Sequence, residues 1–269
     1  MKKIQMLIID PQVDFCSPDG ALYVPGADDD MKRLATFIRT HGEKISQIRV
    51  TLDCHNVVDV AHPAFWVNSD GETPDPFTII TSQDIKNATW LPFLPHLKDR
   101  MLNYVSTLEQ QGNFPLCIWP PHCLIGTVGN SIYPDLSDAL LEWQVRKPWN
   151  VDYVSKGSNI FTEHYGAIAA EVPVPNDPST QINTRLIQNL LEADTIIVAG
   201  EAGSHCVKTT LEQIALKFGD DSYLQKIVLL TDAISPVIHP DIDFPAIQES
   251  FIENMKSRGM RVSTTANFF

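Results

Sequence analysis

Six short apolar runs recur along this chain: IQMLIID from Ile4, IRVTLD from Ile48, VDYVSK from Val151, TIIVAG from Thr195, KIVLLTD from Lys226 and RVSTT from Arg261. Between them lie stretches with apolar residues at helical spacing: DDMKRLATFIRTHGEK, DLSDALLEWQV, INTRLIQNLLEAD, VKTTLEQIALKF and DFPAIQESFIENMKSRG. Runs of this length suit strands buried on both faces. Their alternation with helices predicts an α/β protein whose mostly parallel sheet is covered on both sides. A chain of 269 residues can bury a large core. No repeat, low-complexity tract or long linker divides it, so residues 1–269 read as a single domain. One stretch breaks the alternation: Ala61 to Pro115 is rich in proline, aspartate and aromatic residues, with one expected helix in HLKDRMLNYVSTLEQQ. It reads as an insertion, because loops that long in a compact domain are usually functional or a subdomain.

Reactive residues stand at the ends of four runs. Asp10 ends the first, Asp53 the second and Lys156 the third, while Cys206 follows TIIVAG. Open parallel sheets bind ligands beyond the carboxyl ends of their strands, so four segments would deliver these groups to one edge. Taken singly, each has a plain reading: a turn-capping aspartate, a solvated lysine, a small buried thiol. Taken together they make a nucleophile, a base and a cation. Cys206 would open the helix carrying Val207, Leu211, Ile214, Ala215 and Phe218, where free N–H groups and the macrodipole favour thiolate. Asp10 is the candidate base that later returns the proton, and Lys156 would favour the thiolate and orient both partners. The small-residue turn GEAGSHC leaves room for the amides of Ala202 and Cys206 to face a developing oxyanion.

A second group of residues has metal-ligand character. Residues two apart on a strand share a face, so Asp53 and His55 of TLDCHN can reach one ion while Cys54 points away. His122 of WPPHC could add a third ligand from a loop stiffened by Pro120 and Pro121. Two imidazoles and a carboxylate suit zinc, with iron and manganese as alternatives, and leave positions open for water or substrate. A thiolate site using Cys54 and Cys123 is the competing reading, and strand alternation speaks against it. His62 and His239 read as loop histidines.

Composition removes other classes. Twenty basic residues against 33 acidic ones give a net charge of −13, with the basic residues scattered, which argues against nucleic acid or an anionic membrane as partner. The apolar run at the N-terminus meets Asp10 and Pro11 before a signal-peptide core is complete, and no apolar stretch approaches the ~20 residues that span a bilayer. Five cysteines without a CxxC pair fit reduced thiols, hence an expected cytoplasmic location.

The segments LIIDPQVDFCSPDGALYVPGA, TLDCHN, WPPHCLIGTVG, SKGSN and GEAGSHCVKTT resemble, in order, the signature segments of the isochorismatase-like cysteine hydrolases, and within them the nicotinamidases. The resemblance covers most of the chain outside Ala61–Pro115. It implies a three-layer α/β/α fold and deamidation of nicotinamide to nicotinate and ammonia. It assigns Asp10, Lys156 and Cys206 to a catalytic triad and Asp53, His55 and His122 to a divalent metal. It also implies a cis peptide at Glu201–Ala202 and a substrate-facing ring at Phe15. The chain departs from the family at Gly166 and Ile168, where serine and phenylalanine are common, and at His205, where tyrosine is frequent. These departures bear on the substrate, a small amide. The rival readings are a relative acting on an isochorismate-type, ureido or other amide substrate, and a non-enzymatic thiol sensor. Because both ends of the Ala61–Pro115 stretch are tied to the metal segments, Phe65, Trp66, Phe77 and Trp90 are candidate contacts of a cover over the pocket. A small core of its own, or a contact between copies in a homo-oligomer, is the alternative.

Overall fold

A computed structural model describes residues 2–112, 114–239 and 241–269. The first half runs β1 (Ile4–Ile9), α1 (Val13–Cys16), α2 (Ala27–His41), β2 (Gln47–Asp53), β3 (Trp66–Val67), β4 (Ile79–Ile80), α3 (Ser82–Lys86), β5 (Leu91–Pro92), α4 (Lys98–Gln111) and β6 (Leu116–Cys117). The second half runs α5 (Pro134–Arg146), β7 (Asp152–Lys156), α6 (Thr184–Leu191), β8 (Thr195–Gly200), α7 (Lys208–Phe218), β9 (Ile227–Leu230), α8 (Phe244–Ser257) and β10 (Arg261–Ser263). All six apolar runs form strands, and together they make one parallel sheet in the order β10-β9-β8-β1-β2-β7. Helices flank it in an α/β/α arrangement.

The helices follow local chemistry. In α2, Asp28, Asp29 and Asp30 lie at the positive end of the dipole and Arg39 and His41 at the negative end. Its Met31, Leu34, Ala35 and Ile38, spaced three or four apart, are buried, and each fully buried large side chain contributes about 1.5–3 kcal/mol. Asn183 caps α6 through the N–H of Leu186, and Asp243 caps α8 through that of Ala246.

Strand order places the site. The chain starts in the middle of the sheet at β1, builds β2 and β7 to one side, then returns to build β8, β9 and β10 on the other. That reversal opens a crevice beyond the carboxyl ends of β1 and β8. In register, Asp53 lies opposite Lys156 and Ile9 opposite Gly200, so Asp10, Asp53, Lys156 and the turn after Gly200 reach the same edge.

The stretch from 61 to 115, in which Asn113 lies outside the described residues, is more ordered than its composition suggests. It contains α3, α4 and the antiparallel pair β3–β5, and its β4 pairs with β6 just beyond it. Strands of two residues are too short to leave a periodic signature, and α3 is announced only by the capping box of Thr81 and Asp84. Val60, Phe65, Trp66, Ile80, Ile85, Met101, Tyr104, Val105, Leu108, Leu116 and Ile118 form a second apolar cluster there, and Trp90 packs against it. Phe65, Trp66 and Trp90 therefore serve this local core and not a cover over the pocket. Of the four expected cover residues only Phe77 turns elsewhere, edge-on to Trp119 at 5.8 Å and to His239 at 5.6 Å. Trp66 is fully buried and donates to the Val60 carbonyl at 2.7 Å. Trp66→Ala is expected to destabilise the chain by about 3–5 kcal/mol, whereas Phe77→Ala, at a ring 36% exposed, costs only about 1 kcal/mol. Urea unfolding of the two variants checks this.

Candidate active site

Lys156 is the hub of the edge. Its ammonium lies 2.9 Å from Asp10 Oδ2 and 3.1 Å from Asp53 Oδ1, donates to the His164 carbonyl at 2.8 Å, and stands 3.8 Å from Cys206 Sγ. Lys156, Asp10 and Cys206 are all buried. Burial alone would discharge the ammonium, but the two carboxylates outweigh it and hold the Lys156 pKa well above the ordinary lysine range. Asp10 is pushed up by burial, with Lys156 pulling it back down. Its backbone sits at φ 41°, a left-handed conformation that aspartate tolerates better than most residues, and its Oδ1 accepts from Thr51 Oγ1 at 2.5 Å.

Cys206 does not open α7 directly. It lies in a π-type turn, Gly203–Val207, closed by the Val207 N–H on the Ala202 carbonyl at 3.2 Å, and α7 starts at Lys208. Burial pushes the Cys206 thiol well above its usual range, Lys156 pulls it down, and the negative charge of Asp10 adds to the upward push. The expected bias toward thiolate from the helix end is thus outweighed by desolvation at rest. The Glu201–Ala202 peptide is cis. Among the described residues the Ala202 N–H meets no acceptor, and the Cys206 N–H meets none outside its own turn.

Beside this triad Asp53 Oδ2 faces His55 Nε2 at 3.1 Å and His122 Nε2 at 3.7 Å. The other nitrogens are engaged: His55 Nδ1 with Asp59 Oδ2 at 3.2 Å, His122 Nδ1 with the Pro120 carbonyl at 2.8 Å. A hydrogen on each Nδ1 leaves both Nε2 lone pairs aimed at Asp53, the arrangement a divalent transition ion needs. Asp53, His55 and His122 bring their ligand atoms within 4.8 Å of one another, so the three residues fit such an ion. Among the described residues no cysteine sulfur joins a donor group: Cys54 Sγ turns to the Leu52 carbonyl at 3.5 Å.

Backbone clamps hold the metal strand. The Gln12 amide both donates to the Asp53 carbonyl at 2.7 Å and accepts from the Asp53 N–H at 2.6 Å, and Asn130 Nδ2 donates to the same carbonyl at 2.7 Å. Gly157 follows Lys156 at φ 83°, and a Cβ there would lie 2.6 Å from Asp53 Oδ1. Only glycine lets β7 end against that carboxylate.

The cavity beside these groups has an empty volume of about 440 Å³. Phe15, Trp119, Tyr165 and His205 give it aromatic walls, and Cys206, Asp53, His55, His122 and Glu163 supply its polar end. The Phe15 ring lies 5.3 Å from that of His122. Glu163, Tyr165 and Asp59 escaped the sequence reading, although Asp59 stands four residues after His55 and Glu163 belongs to the EHY triplet after the lysine strand. Burial pushes the Glu163 carboxyl up to about 7. His62 is no solvent-facing loop histidine: it is fully buried, its Nε2 3.4 Å from His122 Nδ1, and burial beside two imidazoles pushes it down to about 4.

The departure at Gly166 has a packing reason, and that at Ile168 has none in the structure. A Cβ at Gly166 would lie 2.1 Å from Gln213 Oε1 of α7, and that same oxygen accepts the N–H groups of Ile168 and Ala169 at 3.2 Å each. Gln213 staples the loop after β7 to α7, and a serine at 166 would displace it. His205 packs face-on against Phe114 at 4.8 Å and edge-on to Phe244 at 4.4 Å, its Nδ1 2.9 Å from Ser204 Oγ. Burial, with Lys208 and His239, pushes it down to about 3. An unfolded histidine titrates near 6.5, so the folded chain binds fewer protons between about pH 3 and 6.5. The stability carried by neutral His205 is therefore complete above about pH 6.5 and lost as pH falls toward 3. His205→Phe is expected to flatten the acid side of the stability profile, read as the urea midpoint between about pH 5 and 7.

No family model matches the chain. The nicotinamidase of Saccharomyces cerevisiae is 23% identical over 257 residues, spanning 96% of this chain and 97% of the relative. The crystal structure of the yeast nicotinamidase Pnc1p bound to the inhibitor nicotinaldehyde superposes with a TM-score of 0.64 at 20% identity, covering 97% of this chain and 99% of that one. The pyrazinamidase of Pyrococcus horikoshii in complex with zinc does so with a TM-score of 0.57 at 21% identity, covering 97% and 99%. This chain carries the three-layer α/β/α fold of the isochorismatase-like hydrolases, and its resemblance to the nicotinamidases extends over nearly its whole length.

Proposed function

We propose that the chain is a metal-assisted cysteine amidohydrolase that converts nicotinamide to nicotinate and ammonia. The observation that carries this reading is the meeting of Cys206, Lys156 and Asp10 at one cavity edge, with Asp53, His55 and His122 beside them. A thiol sensor would have no use for a buried lysine bridging two carboxylates.

As Cys206 Sγ adds to the amide carbonyl, its proton passes to Asp10, which shares the Lys156 ammonium with it. Lys156 stabilises the negative charge that Asp10 carries at rest and that passes to sulfur as its proton leaves. The amides of Ala202 and Cys206 receive the oxyanion. Asp10 then gives its proton to the departing nitrogen, and ammonia leaves a thioester on Cys206. Water, deprotonated by Asp10, attacks that thioester, and the proton returns to sulfur as nicotinate leaves. A divalent ion held by Asp53, His55 and His122, with zinc the first candidate, would supply a Lewis-acid contact for the pyridine nitrogen. Sulfur already provides the nucleophile, so substrate placement is what those three residues contribute.

Phe15 and Trp119 suit a flat aromatic ring, and Phe77 borders Trp119 from outside. Phe77→Ala is accordingly expected to raise KM more than it lowers kcat. Ammonia release from nicotinamide by the purified protein, with and without a chelator, tests the proposal. Release that a chelator weakens supports it, and no release from nicotinamide with turnover of another small amide would move the substrate.

A further inference from the structure

We propose that Glu201 and Asp30 are positioning residues for this reaction: their carboxyls, both bonded to Ser235, clamp the turn that carries Ala202 and Cys206 to the segment around Ser235. The inference rests on the reading of Cys206 as nucleophile and of its turn as the oxyanion site. Glu201 is fully buried and Asp30 is 2% exposed. Both grip one residue: the Ser235 N–H donates to Glu201 Oε2 at 3.0 Å, and the Ser235 hydroxyl to Asp30 Oδ2 at 2.6 Å. The Ser235 carbonyl in turn accepts the Gly203 N–H at 2.8 Å, and the Ala233 carbonyl the Gly200 N–H at 2.9 Å. The Val237 N–H donates to Ser204 Oγ at 3.0 Å, and Val237 itself lines the cavity. Residues 200–204 are thereby zipped to residues 233–237, and α2, through Asp30, holds the zip from behind.

Glu201 Oε1 meets no hydrogen-bond partner among the described residues, and the Asp30 carboxyl, which shares Ser235 with it, adds a like charge. Two buried carboxyls that share one partner disfavour each other's ionisation. Arg33, 2.5 Å from Asp30 Oδ1, is the cation on the pair, and its Nε is held by the Asp232 carbonyl at 2.6 Å. The Cys16 thiol of α1 feels both carboxyls, together with Asp10 after β1 and Asp28 of α2. None of the three supplies a positive charge. Burial, with Asp30 adding, holds the Glu201 carboxyl well above the ordinary carboxylate range. Above the ordinary carboxylate range the folded chain keeps a proton that the unfolded chain sheds, so the clamp is complete at low pH and loosens as pH rises through the raised Glu201 pKa.

Glu201→Gln keeps an acceptor toward the Ser235 N–H without a titrating proton, whereas Glu201→Leu removes the acceptor. With nicotinamide as substrate, Glu201→Leu is expected to lower kcat about tenfold with KM within about twofold, as befits a misplaced oxyanion donor. Glu201→Gln should stay within about threefold of the parent at neutral pH and lose less activity than the parent toward about pH 9. If Glu201→Leu fails to fold, Ser235→Ala, which removes only the hydroxyl on Asp30, takes its place in both readouts. Hydrogen exchange of peptides spanning 200–206 and 233–237 is expected to quicken in Glu201→Leu and not in Glu201→Gln. A folded Glu201→Leu with parental kcat, or with parental exchange in both peptides, overturns the proposal. A parent protein that releases no ammonia from nicotinamide would overturn the functional reading instead, and the exchange data alone would then decide whether the clamp exists.

Discussion

Cys206→Ala is expected to reduce ammonia release from nicotinamide by about 10⁴-fold or more, Asp10→Asn to do much the same, and the double variant to be hardly worse than either. Non-additivity follows from the shared proton. Sulfur cannot add without giving its proton to Asp10, and Asp10 cannot serve the leaving nitrogen without having received it. Both side chains are buried around the Lys156 ammonium, 2.9 Å from Asp10 Oδ2 and 3.8 Å from Cys206 Sγ, so no solvent base substitutes for the missing one. Asp10→Asn also leaves Lys156 with Asp53 as its remaining carboxylate, which makes the stability of that variant a necessary control. Steady-state kinetics on folded variants decides the matter. A Cys206→Ala protein that retained a tenth of the parental rate would rule out sulfur as the nucleophile.

The second large effect concerns His122. His122→Ala is expected to lose the bound ion and to raise KM for nicotinamide by about 10–100-fold or more, the range that follows disturbance of a ligand set. The imidazole stands 3.7 Å from Asp53 Oδ2 and is oriented by the Pro120 carbonyl, and among the described residues no other side chain of that loop joins the Asp53–His55 donor group. Cys206 in the same variant should still react with iodoacetamide, because Lys156 and Asp10 remain in place around it. Elemental analysis of protein purified without chelator, together with KM and the alkylation rate, separates loss of metal from loss of the thiol. Metal-free protein with full activity would remove the ion from the mechanism.

The path from residues to site was unevenly legible. Apolar runs and the residue that closes each one are local facts, because a strand buried on both faces requires its own continuous run and its last residue must emerge at the carboxyl edge. The six strands, their helices, and the placement of Asp10, Asp53, Lys156 and Cys206 at one edge could therefore be read from the sequence by itself. Contacts between distant segments carry no such local mark. That Lys156 bridges Asp10 and Asp53, that Gln12 clamps the Asp53 backbone, and that Asp59 and the Pro120 carbonyl orient the two imidazoles depend on strand order and on loops meeting across the edge. Tertiary structure also sent Phe65 and Trp66 into a local core, buried His62 against His122, and raised the Cys206 thiol where the helix end alone favours thiolate. Desolvation decided the last of these, because the cost of burying a charge depends on everything packed around it and on nothing a neighbouring residue in the chain reveals.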